Sequence, residues 1–530
     1  MKTSLAKKIA VVGAIALSSF AINLAPTAAQ AAPACAVGPV TSCQGATSDG
    51  APYVMQVPGN FNGTAFLYSH GYRYNVALPS LGYPAVLSTP QPGPVVGSDT
   101  SVIKYLLSHG YAVFGSGFAR QGWNADSGVA TDVELISTFK TQFPKTTNVV
   151  AWGESLGGFM TQVLAEKHPE LISAAAPLCM ASPIEAELTM AGDFLWGLKT
   201  FFDPSIQGGN YKTATESLVD LGRVVKLLTA LQSSIATGVW PATTPAPVKA
   251  MLGAIPPRSA LLLLGLMSGL PTQSDHFDGT TGPGSPNSSA YTSFALAGSP
   301  ALAVLENGAS AAVLAVLATA DVELQAGGTI FDNSKTDYSA RVESEKGIYN
   351  AALSGATATA GMLAYLAAAP RATADPASLA KMRALATITG KINVPTITMV
   401  GIADPITPAG GSQWLANQYA DQYAAAKAAA LKAKAKRPAS ALTSIWGMTP
   451  AHYTKFTAAG APDTSGPLAN GTNHCKFTVK QYIGVADMLA ASVNGSLPKP
   501  QTIKTTVRKM GGSIVDAKFQ PALPKFFQED

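Results

Sequence analysis

The sequence predicts an α/β fold: a mostly parallel central sheet interrupted by one large, mainly helical insertion. Three observations lead there. Apolar strand-like runs alternate with helical patterns from about residue 63 to residue 180. The same alternation resumes after residue 390. Between the two flanks the pattern is almost wholly helical. Strands that alternate with helices need crossover connections, and crossovers build parallel sheets. One sheet needs strands from both flanks, so the flanks form a single domain.

The elements follow in chain order. Ala65 to Ser69 is a short apolar strand, and Asp99 to His109 a helix. Tyr111 to Gly115 is a strand, Thr131 to Phe143 a helix. Asn148 to Gly153 is a β-branched run and therefore a strand; Leu156 to His168 is the helix after it. Ile172 to Leu178 is again a strand. The insertion, residues 181–389, carries apolar helical stretches at Phe194 to Leu198 and Ala260 to Leu270. A loop rich in Gly, Ser and Pro lies within it, Asp278 to Asn287. The sheet pattern returns at Val394 to Gly401. A helix is expected over Ser412 to Lys436, a strand near Ser444 to Met448, and a last helix over Thr478 to Ser492. The organisation expected is a leader at 1–31, a first core part at 32–180, a cap or lid at 181–389, and a second core part at 390–530.

Composition excludes several classes. Of 530 residues, 47% are hydrophobic and only 13% charged, which suits an ample core and argues against disorder. The net charge is +5, with no basic patch interleaved with aromatics, so no nucleic-acid partner is expected. Lys427 to Lys436 reads as the solvated face of an Ala/Lys helix. Lys2, Lys7 and Lys8 precede an apolar stretch from Ile9 to Ala25, and Ala29-Gln30-Ala31 is a small-x-small cleavage site. That is the pattern of a secretory signal peptide, so a secreted or periplasmic protein beginning near Ala32 is expected. Cys35 follows Ala-Pro-Ala, which does not suit a lipid anchor. Ala260 to Leu270 is the longest later apolar run, short of the roughly 18 residues a membrane span needs. No integral membrane segment is therefore expected. The four cysteines form an even set in an exported chain, which favours disulfides. Cys35 and Cys43 would close a small loop, leaving Cys179 with Cys475; two buried free thiols are the alternative for the second pair. No Cys/His spacing suits zinc, and no metal or cofactor is expected.

The chemistry concentrates at Gly153-Glu154-Ser155-Leu156-Gly157. A serine at a sharp strand-to-helix turn needs small neighbours two residues to either side, so Ser155 is the candidate nucleophile. Its hydroxyl needs a base, and the base needs an acid to fix its tautomer. Among six histidines, His474 sits in a Gly/Asn-rich loop just before the expected last helix and is the candidate base; His452 is the reserve. His109 and His168 sit near helix ends, His276 in the polar loop of the insertion. Asp404 follows the strand ending at Gly401, where α/β sheets open their binding crevice, and is the candidate acid. Asp463 is the alternative. A developing oxyanion needs backbone N–H donors. Leu156 supplies one at a helix N-terminus, and Tyr72, in the turn Ser69-His70-Gly71-Tyr72, the second. His70 itself reads as a structural residue.

These residues carry a resemblance. The chain resembles the α/β-hydrolase superfamily in the Gly153-x-Ser155-x-Gly157 elbow, the His70-Gly71 turn, the Asp404 loop and the His474 loop, in the order Ser, Asp, His. The resemblance covers about Phe61 to Met180 and Val394 to Ser492 and leaves out the insertion. It implies an α/β-hydrolase fold and a serine esterase acting through an acyl-enzyme. The insertion would serve as a cap over Ser155, and its apolar stretches, Phe194 to Leu198 and Ala260 to Leu270, suit either an apolar acyl or alcohol pocket, and so an ester with an apolar moiety, or ordinary helix core. A serine peptidase or an acyltransferase of the same superfamily is the alternative. His474-Cys475 is also similar to the His-Cys pair of tannases and related feruloyl esterases. Their partner cysteine immediately precedes the serine. Here that position is Glu154, and Cys179 is the substitute partner.

Overall fold

A computed structural model describes residues 33–78, 93–279, 294–385, 388–457 and 461–528. The expected leader and the greater part of the Asp278 to Asn287 loop lie outside the described residues. The strands are β1 (Ala34–Ala36), β2 (Val40–Ala46), β3 (Pro52–Pro58), β4 (Thr64–Ser69), β5 (Ala112–Ser116), β6 (Asn148–Glu154), β7 (Ala174–Leu178), β8 (Thr396–Gly401), β9 (Leu442–Gly447) and β10 (Ser513–Ile514). They form one sheet in the order β1-β2-β3-β5-β4-β6-β7-β8-β9-β10. From β5 to β9 every neighbouring pair is parallel, and the edges are antiparallel. This is the predicted α/β architecture, with β7 and β8 adjacent although the helical insertion separates them in sequence.

Parallel strands covered on both faces read as continuous apolar runs. β4, β7 and β8 are buried at every position. Successive side chains go to opposite layers. Phe66, Val150 and Trp152 pack with α1 (Thr100–Ser108) and with the late helices described below. Ala65, Leu67, Val149 and Ala151 pack with α2 (Ala125–Gln142) and α3 (Leu156–Lys167). α2 begins six residues before the expected Thr131. Gly128 hides the helical pattern there, yet a Cβ at that position would strike the Met160 sulfur of α3, so glycine lets the two helices close.

Between β7 and β8 lie α4 (Ile184–Phe201), α5 (Ala214–Thr237), α6 (Ala246–Leu252), α7 (Pro257–Ser268), α8 (Phe294–Ala326), α9 (Ala356–Ala368) and α10 (Pro376–Leu385). They share a separate core that includes Leu195, Val224, Leu228, Leu261 and Val304. α8 corrects one expectation. Its stretch Gly298–Ala326 is long and apolar enough to cross a membrane, with mean hydropathy 1.8, so Ala260 to Leu270 is not the longest contender. Glu306, Asn307, Asp321 and Glu323 interrupt the run, which hid it from a search for unbroken apolar sequence. Most of that window, 67%, is buried against neighbouring helices, as in the core helix of a soluble fold.

After β8 come α11 (Ala409–Lys432), α12 (Val479–Ala490) and α13 (Pro500–Met510). The expected last helix, Thr478 to Ser492, is α12, with Thr478 as its capping residue. It is not the last: α13 and the edge strand β10 follow. All four cysteines are paired, Cys35 with Cys43 and Cys179 with Cys475.

One buried acid in this core makes stability depend on pH. Asp132 on α2 is fully buried; Ser69 Oγ donates to its Oδ2 at 2.7 Å, and its Oδ1 has no partner among the described residues. Burial pushes its carboxyl up to about 7. An unfolded aspartate titrates near 3.9, so the native state holds a proton that the unfolded chain releases above about pH 4. Stability is therefore present at low pH and falls as pH rises through about 4 to 7. Asp132→Asn removes this contribution. Urea unfolding at pH 5 and pH 8 should show the wild type losing about 2–3 kcal/mol more than the variant across that interval. Equal losses would assign the proton elsewhere.

Candidate active site

Ser155 caps the N-terminus of α3 immediately after β6, with φ 57° and ψ −122°. A non-glycine residue rarely adopts positive φ, at a cost of roughly 1–3 kcal/mol, and such strain gathers at functional sites. The turn closes because its neighbours are glycines. A Cβ at Gly157 would overlap the Ser69 carbonyl oxygen, and one at Gly153 would lie 2.5 Å from the Gly157 oxygen.

Two loops from the far half of the sheet meet this serine. His474 Nε2 lies 2.9 Å from Ser155 Oγ. His474 Nδ1 lies 3.0 Å from Asp404 Oδ2 and 3.1 Å from Oδ1. Asp404 is fully buried, and four further donors hold it. The backbone N–H groups of Ile406 and Thr407 donate to Oδ1 at 2.9 and 3.0 Å, while Thr407 Oγ1 and the Cys475 N–H donate to Oδ2 at 3.1 and 3.2 Å. A carboxylate with this many donors stays in one orientation and presents a fixed acceptor to Nδ1–H. The Cys179–Cys475 bond ties the His474 loop to the chain just after β7.

The reserve assignments go elsewhere. His452 is exposed. Asp463 accepts from the hydroxyl and N–H of Ser465 at 2.6 and 3.0 Å, a local turn that holds its carboxyl below its ordinary value. His70 is buried, its Nδ1 lies 2.7 Å from the Gly71 oxygen, and its ring packs on Phe118. Burial, with Arg73 as a smaller cause, pushes it down to about 3, so it is neutral at ordinary pH. Tyr72 and Leu156 line the same cavity as Ser155. Asp404, His474 and Cys475 lie close enough together to suggest a metal site, but the Cys475 sulfur is already bonded to Cys179.

Several supporting residues have no sequence signal of their own. Asp275, between α7 and α8, accepts from Thr472 Oγ1 at 2.8 Å and Asn473 Nδ2 at 3.0 Å, bracing the His474 loop from the insertion. Asp321 of α8 accepts from Asn75 Nδ2 at 2.6 Å, the Trp123 N–H at 2.5 Å and Tyr72 OH at 3.3 Å, gathering two loops at the cavity. Glu154 takes the hydroxyls of Tyr68, at 3.0 Å, and Tyr482, and burial holds its carboxyl above its ordinary value. Glu187 of α4 lines the cavity, and its Oε1 is buried with no partner among the described residues. Burial first, and then the charge of Asp404, push its carboxyl well above the ordinary range. These acids come from the helical insertion or pair with residues far along the chain, so only the folded structure reveals their roles.

No protein-family model matches this sequence, and no curated protein matches it. Among solved structures, feruloyl esterase B from Aspergillus oryzae aligns over 77% of this chain and 72% of its own, at 14% identity and TM-score 0.32. The rice cell wall degrading esterase LipA from Xanthomonas oryzae aligns over 77% of this chain and 82% of its own, at 13% identity and TM-score 0.28. The Pyrococcus furiosus esterase Pf2001 aligns over 29% of this chain and 56% of its own, at 14% identity and TM-score 0.22. Likenesses this slight carry no residue role or activity to this chain.

Proposed function

We propose that this chain is a secreted serine hydrolase that cleaves carboxylic esters through Ser155, His474 and Asp404. The observation that carries the reading is the contact chain from Ser155 Oγ through the imidazole to the buried Asp404 carboxylate, built on a strained strand-to-helix turn. In the first step Ser155 Oγ attacks the ester carbonyl carbon while His474 Nε2 takes the hydroxyl proton. The carbonyl oxygen becomes an oxyanion, received by the N–H groups of Leu156 and Tyr72. His474 then gives the proton to the departing alcohol, leaving an acyl group on Ser155. Water repeats the sequence: His474 takes its proton, its oxygen attacks the acyl carbon, and the acid leaves as Ser155 regains its proton. Asp404 stabilises the imidazolium in both halves.

Residues 32–180 and 390–530 would be the hydrolase core and residues 181–389 the cap. The leader at 1–31 would direct export, which agrees with two disulfides in the described chain, since such bonds persist in oxidising compartments. The test is a panel of nitrophenyl esters beside aminoacyl anilides, with and without added acceptor alcohols. Ester turnover with inert anilides is expected. Faster cleavage of the anilides would make the chain a peptidase, and ester products in place of free acid would make it an acyltransferase.

A further inference from the structure

Ser155 opens into a narrow cleft of about 90 Å³ that lies between α4 and α8. Polar groups gather at one end, where Ser155 lies with Tyr72 and Glu187. Further along, Leu195, Val224 and Leu270 form buried apolar walls. α8 contributes Leu314 at the margin and, beside it, Gly308, Ala311, Ala312, Ala315 and Ala318. Their spacing puts them on one helix face, and side chains that end at Cβ leave a trough that larger ones would fill. The two helices run in opposite senses. The Asp321 end of α8 is tied to Tyr72 and Trp123, whereas Gly308 lies so close to the Phe194 ring that a Cβ there would collide with it. The trough thus leads from the serine to a stop made by Phe194.

Given the serine-esterase reading above, we propose that this cleft holds the acyl chain of the substrate, and that the substrate class is esters of linear, medium-chain fatty acids. The polarity of the cleft matches such a molecule, with a carboxyl head at Ser155 and a hydrocarbon tail against leucines and alanines. The acyl half fits the cleft better than the alcohol half for a mechanistic reason. The alcohol must leave before water enters, whereas the acyl group stays bonded to Ser155 through both steps. A long apolar subsite therefore serves the group that remains. Gly308 to Ala318 spans about 15 Å at the α-helical rise. A zigzag of bonds of about 1.5 Å advances roughly 1.3 Å per carbon, which sets a capacity of about ten to twelve carbons.

The test uses the full secreted chain and two substrate series. One varies the acyl chain from two to sixteen carbons on a constant nitrophenol; the other varies the alcohol of alkyl acetates. For the wild type, kcat/KM should rise by up to about fourfold per added methylene and level off near ten to twelve carbons. The alcohol series should be flat. Ala311→Leu, near the Phe194 stop, should shorten the optimum by a few carbons. Ala315→Leu, one turn nearer the serine end, should shorten it further. Thermal unfolding and far-UV circular dichroism matching the wild type check that both fold. An unchanged acyl profile in both variants, or chain-length dependence in the alcohol series alone, overturns the assignment of the cleft. Absence of turnover on every ester, short ones included, would instead overturn the esterase reading itself.

Discussion

Ser155→Ala lowers kcat by about a millionfold, and adding His474→Ala to it costs almost nothing more. The expectation follows from the 2.9 Å contact between Oγ and Nε2. In the proposed mechanism the hydroxyl is a nucleophile only while the imidazole removes its proton, and the imidazole has no proton to move once the hydroxyl is gone. The two side chains act as one device, so their losses do not multiply. The double variant should retain a residual rate about 10³–10⁴ above water, because the N–H groups of Leu156 and Tyr72 would still receive the oxyanion. Rates are read on a butyrate ester, with thermal unfolding recorded beside each variant. Losses that multiply would mean that the two residues act independently. A Ser155→Ala protein retaining more than about 1% of wild-type turnover would remove Ser155 as the nucleophile.

The sheet is legible in the sequence where burial on both faces makes the strands uniformly apolar, as in Ala65 to Ser69 and Val394 to Gly401. The N-terminal strands are harder to read. β2 has the sequence VTSCQGA and is only partly buried, so it lacks an apolar run. β3 does carry a signal, since Tyr53, Met55 and Val57 alternate toward the core. α13 was likewise legible from Pro500 at its first turn and from Ile503, Val507 and Met510 on one face. The candidate nucleophile, acid and base can be picked out because each sits in a short Gly-, Asn- or Pro-rich loop next to a regular element, in a chain order that fits one site. Asp275, Asp321 and Glu187 cannot be read that way. Asp321 and Glu187 are ordinary acids inside helices and Asp275 lies in a loop of the insertion; the partner of each is set by how the insertion folds over the sheet. The cleft is hidden for the same reason: alanines on α8 read as helix formers until α4 is placed opposite them.

Asp404→Asn should lower kcat/KM by about 10⁴ while the protein stays folded. The carboxylate accepts Nδ1–H of His474 and so keeps the lone pair of Nε2 directed at the serine hydroxyl. The donors around it decide what an amide does there. The N–H groups of Ile406, Thr407 and Cys475 and the Thr407 hydroxyl all need acceptors. Asparagine has one oxygen where aspartate has two, and backbone donors sit at both: the N–H groups of Ile406 and Thr407 at Oδ1, that of Cys475 at Oδ2. In either orientation its NH₂ sets N–H against N–H in a buried site, at a cost of about 1–3 kcal/mol in stability. Nδ1 lies 3.1 Å from Oδ1 and 3.0 Å from Oδ2, so an NH₂ that donates to it moves the ring proton to Nε2 and leaves Ser155 without a base. Activity and stability measured together check this: a large rate loss with a lowered Tm is expected. Asp463→Asn, whose carboxylate accepts from the hydroxyl and N–H of Ser465 in its own turn, should leave the rate unchanged. A loss below tenfold at Asp404 with an unchanged Tm would mean that another group orients His474.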